Sequence, residues 1–82
     1  MNNYSSHRCV RQNARIVGDS IIAQHYDVTS TQQCQNLCRS NGGCLYFNYY
    51  GRIKSCDLYS GMLRIDYGYE SNGYVSGPDV CL

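Results

Sequence analysis

The sequence predicts a small α+β domain held together by disulfides, and three observations carry that expectation. Residues 30–40 read as one helix, with Cys34 and Cys38 four apart and therefore on a single face. Two strand-like runs, 45–50 and 53–59, follow at once and are separated only by Gly51-Arg52. Six cysteines, an even number, reach both ends of a chain of 82 residues.

The cysteines are needed because so short a chain buries only roughly 60–65% of its unfolded surface. There is no Trp and a single Phe, so apolar burial alone is thin. Cysteine usage of this kind belongs to an oxidising compartment, so the expected location is extracellular, secreted or on the cell surface. The opening MNNYSSHR has no apolar run of a signal peptide, and nothing approaches the ~20 apolar residues of a membrane span. The signal peptide is therefore expected to be absent from this chain, which reads as a mature product or an excised module in which Met1 need not be native. The organisation expected is one domain over 1–82, with its core at 9–81 and a polar leader at 1–8. A net charge of +1 gives no basic stripe for nucleic acid.

Taken in order, the leader holds the sequon Asn3-Tyr4-Ser5, which makes Asn3 a candidate glycosylation site. A short strand is expected from Arg8 to Gln12. Ile16-Val17 and Ile21–Tyr26 then read as a hairpin about Gly18-Asp19. Ser30 is the expected N-cap of the helix, with Gln33 completing a capping box. Leu37 joins the cysteine stripe, and Asn41-Gly42 offers a left-handed stop.

For the central hairpin, Gly51 in the first central place suits a two-residue type II′ turn. That register pairs Tyr50 with Ile53 and sets Phe47 opposite Cys56 and Leu45 opposite Leu58, so these four apolar residues share the face that receives the helix. Tyr46, Asn48, Tyr50, Ser55, Asp57 and Tyr59 point the other way. Beyond it, Gly61–Asn72 reads as a short strand with Met62, Leu63 and Ile65, followed by an exposed loop. Tyr74–Ser76 is the last expected strand.

Six cysteines allow fifteen pairings, and sequence alone does not choose among them. Geometry narrows the field. Cys34 and Cys38, fixed side by side on one helix, are poorly placed to bond each other, and Cys44 follows closely enough for Cys38 to reach. A zinc site built from Cys34, Cys38 and Cys44, with His25 as fourth ligand, is the competing use, and the six-cysteine pattern favours disulfides over it. Oxidised sulfur is no nucleophile, and Asp57, Asp66 and Glu70 are not drawn together by any pattern, so no enzyme activity, metal or cofactor is expected.

The order of these motifs resembles the PAN/apple domain family. The likeness rests on a first Cys, the capped helix with Cys34-x3-Cys38, Cys44 after a Gly-rich break, Phe47-x-Tyr49, Cys56-x-Leu58 and Ser76-Gly77-Pro78 ahead of Cys81. It implies a curved antiparallel sheet of about five strands with one helix packed on it, and a smaller two-stranded ribbon on the other face. It also implies the pairing Cys9–Cys81, Cys34–Cys56 and Cys38–Cys44.

The same resemblance implies an extracellular, non-catalytic binding or adhesion module for a glycan or a protein. Nine tyrosines agree with that, since each joins a flat apolar face to a polar tip. The candidate ligand site is the loop carrying Tyr67, Tyr69, Glu70, Asn72 and Tyr74, with Arg64 beside it. An alternative basic patch, Arg8, Arg11 and Arg15, would favour a sulfated chain. A self-associating structural unit of an extracellular matrix or filament is the alternative function.

Overall fold

The computed structural model describes residues 9–81. Arg8, the rest of the leader and the Asn3 sequon lie outside the described residues. The elements in chain order are β1 (Arg11–Gln12), β2 (Arg15–Val17), β3 (Ile21–His25), α1 (Thr31–Ser40), β4 (Tyr46–Tyr50), β5 (Ser55–Tyr59), β6 (Arg64–Asp66) and β7 (Tyr74–Pro78). Five strands form one antiparallel sheet in the order β1-β7-β4-β5-β3, and β2 with β6 forms a separate two-stranded ribbon. No helix among the described residues is long and apolar enough to cross a membrane.

Helix α1 begins as its sequence dictates. Ser30 is extended, and its hydroxyl accepts the Gln33 N–H at 3.0 Å. The return arm differs from a standard capping box, because Gln33 Oε1 accepts from the Thr29 N–H at 2.8 Å. The expected left-handed stop at Asn41-Gly42 does not form. Asn41 has φ −97°, its N–H donates to Cys38 O, and its side chain accepts the Gly43 N–H, so an Asx turn and the Cys38–Cys44 bridge end the helix.

The helix packs Cys34 and Cys38 onto Phe47, Tyr49, Cys56 and Leu58, with Val28 and Cys44 completing the cluster. Tyr49 buries its ring there and satisfies its hydroxyl by donating to Val28 O at 2.6 Å. Gln35 is buried and donates to Pro78 O at 3.0 Å, tying the helix to the end of β7. Gly77 is required where it stands: a Cβ there would meet Val10 Cγ1 at 2.9 Å and the Phe47 ring at 3.3 Å.

Two expectations about the strands are also corrected. The central hairpin closes through a four-residue loop, Gly51–Lys54, with Lys54 left-handed at φ 55°, so Tyr50 pairs with Ser55, Tyr49 with Cys56 and Phe47 with Leu58. The register is displaced by two residues, which keeps every side chain on its expected face. Leu45 precedes β4 and stays half exposed. The early hairpin is absent, because β2 pairs with β6 while β3 pairs with β5 at the sheet edge.

Three disulfides join Cys9 to Cys81, Cys34 to Cys56 and Cys38 to Cys44, across Cα separations of 5.6, 5.5 and 5.2 Å. Chain-entropy arguments assign them about 4, 3 and 2 kcal/mol as upper values. The longest loop is closed at the periphery, where Cys9 and Cys81 are only partly buried. Changing both to Ser is therefore expected to lower the melting temperature yet leave one cooperative transition, followed by circular dichroism; a featureless melt contradicts this.

Candidate functional site

The face of the sheet away from α1 carries the ribbon, and Asn48 fastens it. From the centre of β4, Asn48 Oδ1 accepts the Ile16 N–H at 2.7 Å while Asn48 Nδ2 donates to Ile16 O at 2.9 Å. One side chain thus completes the backbone bonding of a strand. Ser76 Oγ lies 2.5 Å from both Asn48 Oδ1 and Ala14 O, so its single proton serves two acceptors. Ala14 and Ile16 are buried as a result, and the ribbon covers much of the Tyr46, Asn48, Tyr50, Ser55, Asp57 and Tyr59 face. Burial pushes the Tyr59 phenol above its ordinary value, and neighbouring Asp57 adds to the rise.

The ribbon brings together residues that were assigned to rival sites. Asp66 on β6 accepts from Arg64 Nε at 2.9 Å and faces Arg15 Nη2 of β2 at 3.8 Å. Arg15 also lies over the Tyr74 ring, 5.8 Å from its centroid. Tyr74 in turn stacks on Tyr50 at 4.4 Å between ring centres and 19° between planes. Arg15, of the basic patch, and Arg64 and Tyr74, of the loop site, therefore belong to one surface centred on Asp66.

The loop group itself divides. Tyr74 is not a loop residue: it opens β7 and its ring is committed to Tyr50. Gly73 permits this at φ +89°, where a Cβ would meet the Tyr50 ring at 3.0 Å. Tyr67, Tyr69, Glu70 and Asn72 remain exposed, Tyr67 at 57% and Tyr69 at 89%. Their base is fixed, since a 3-10 turn over Tyr69–Ser71 buries Ser71, whose hydroxyl donates to Asp66 O at 2.9 Å. The buried Ser in a Glu-Ser-Asn run had no apolar signal to announce it.

Arg11 stands apart from this surface, on β1 opposite Ser76. It lines a groove between the ribbon and the sheet that sequence reasoning did not find, because its walls come from residues 9, 11, 16, 46, 62, 65 and 76–78. All six cysteines are bonded, so none is a thiol or thiolate.

Comparison with known proteins follows the same outline. The family model described as the PAN domain matches residues 6–81. A PAN domain-containing protein of Acanthamoeba polyphaga mimivirus is 43% identical over 35 residues, which cover 43% of this chain and 16% of that protein. The solution structure of a PAN module from Eimeria tenella superposes with a TM-score of 0.65 at 26% identity, over 90% of this chain and 81% of that one.

Proposed function

We propose, from the premise that the chain belongs to the PAN domain family, that it is a non-catalytic extracellular module that holds a protein or glycan partner on its ribbon face. PAN modules mediate protein and carbohydrate interactions, and this one is a disulfide-rich member. The observation that carries the reading is the pairing of two exposed rings, Tyr67 and Tyr69, with a base held rigid by buried Ser71. A ring displayed on a fixed base loses little entropy on binding. Glu70 and Asn72 supply acceptors and donors beside it, and Arg64 is oriented by its fork on Asp66.

Arrays of glycans and of secreted proteins, probed with this chain, test the proposal. Tyr67→Ala with Tyr69→Ala is expected to weaken a retained partner by at least about a hundredfold, the loss of two anchors worth ~1.5 kcal/mol each, with little dependence on salt. If that variant binds normally while Arg11→Ala with Arg15→Ala removes a salt-sensitive interaction, the basic patch is the site instead. The structural alternative has its own support in β3, an edge strand with Ile21 and Ile22 exposed and no charged residue along it. A concentration-dependent oligomer on a sizing column, unchanged by partner, would favour that reading.

A further inference from the structure

The groove beneath the ribbon decides between the two partner classes. It encloses about 180 Å³ between Ile16, Tyr46, Met62, Ile65, Pro78 and Arg11. A cavity of about 150 Å³ takes one benzene-sized group, and pockets for larger ligands begin near 300 Å³, so there is room for one amino-acid side chain. The walls are mostly carbon. Ser76 also borders the groove, but its hydroxyl proton is already shared between Ala14 O and Asn48 Oδ1. A pyranose ring placed here would bury several hydroxyls against aliphatic carbon without partners, which is costly.

One charge stands in the lining. Arg11 is exposed on the two-residue strand β1, and among the described residues no acidic side chain borders the groove and none pairs with Arg11. The nearby carboxylate of the ribbon, Asp66, is taken by Arg64 and Arg15. An occupant complementary to both features brings an apolar group and an anion within the reach of one residue. The anion that an apolar residue can carry is a free main-chain carboxylate.

Resting on the reading of this chain as a binding module, we infer that the groove is an anchor site for a partner protein and takes an apolar C-terminal residue, its side chain between Ile16, Met62 and Ile65 and its carboxylate on Arg11. The test uses N-acetyl-L-leucine as probe, titrated into the intact, isotope-labelled, oxidised protein and followed by amide shifts. Saturable shifts at Met62, Ile65 and Gly77 are expected, with Kd on the order of millimolar for so small a ligand. N-acetyl-L-leucinamide, which lacks the charge, should bind about tenfold more weakly, a difference of ~1.4 kcal/mol. Arg11→Gln should erase that preference while leaving amide dispersion intact, and Ile65→Ser should remove both responses.

Absence of shifts at these three amides, equal binding of acid and amide by the wild-type protein, or stronger shifts there with methyl β-D-glucopyranoside would each overturn the inference. The acid and amide titrations use unaltered protein, so a variant that fails to fold leaves the test intact. A glycan retained through Tyr67 and Tyr69 by a protein indifferent to N-acetyl-L-leucine overturns the groove assignment and leaves the binding-module reading standing.

Discussion

Replacing Cys34 and Cys56 together by alanine is expected to abolish cooperative thermal unfolding. Both residues are fully buried, and their bridge joins the middle of α1 to β5 at the centre of the main cluster. Removing it releases about 3 kcal/mol of unfolded-state entropy by the loop-closure estimate. It also leaves the space of two sulfurs beside Phe47 and Leu58, at a further cost of roughly 1 kcal/mol or more. Set against the ~5–15 kcal/mol that an ordinary domain has in total, and less in a domain this small, the sum is a large share of the fold. Scanning calorimetry of the double variant should show no transition with a two-state enthalpy, and circular dichroism should show helix signal lost gradually from low temperature. A sharp transition within a few degrees of wild type would mean that apolar packing, rather than the bridge, holds helix to sheet.

How far the fold could be read in advance depends on whether its determinants are local. The helix was legible because Ser30, Gln33, Cys34, Leu37 and Cys38 lie within nine residues, and cap, period and burial all agree there. Strands β4 and β5 were legible by their alternation, which fixed which face met the helix. Their register was not, because a shift of two residues moves no side chain to the other face, so apolar pattern cannot choose between the two alignments. Only the turn could, and its four-residue form depends on Lys54 adopting a left-handed conformation that a lysine does not advertise.

The ribbon was hidden for a different reason. Ile16 and Val17 stand close to a Gly-Asp turn and a further Ile-rich strand, so local pattern favours a hairpin. Instead Ile16 pairs with Ile65 and is bound on both backbone groups by Asn48, thirty-two residues away. Long-range partners of this kind also explain the site. Tyr67 and Tyr69 were identified correctly as exposed rings, whereas the meeting of Arg15, Asp66 and Tyr74 required knowing that β2 lies beside β6.

Asn48 should therefore be the residue on which the ribbon face depends most. In Asn48→Ala, the N–H and C=O of Ile16 lose their partners while still buried, and each such loss costs about 1–3 kcal/mol. A total near 3 kcal/mol corresponds to a fall in melting temperature of roughly 12–24 °C for a domain of this size. The loss should be local first. Hydrogen exchange at Ile16 should accelerate by two orders of magnitude or more before exchange at Cys34 and Cys38 changes, since the main cluster on the helix side does not include Asn48. Asn48→Asp sharpens the test. An ionised carboxylate there would still accept from the Ile16 N–H but would repel Ile16 O, whereas the protonated acid can donate to that oxygen as the amide does. Burial and the facing carbonyl raise the pKa of such an aspartate in the folded state, so its contribution is present in acid and lost as pH rises through that value. The Asp variant should accordingly gain stability relative to wild type as pH falls from 7 toward the ordinary carboxylate range of about 4. Wild-type exchange rates in Asn48→Ala, or an Asp variant whose deficit is the same at both ends of that pH range, would show that the ribbon is held by side-chain packing rather than by this one amide.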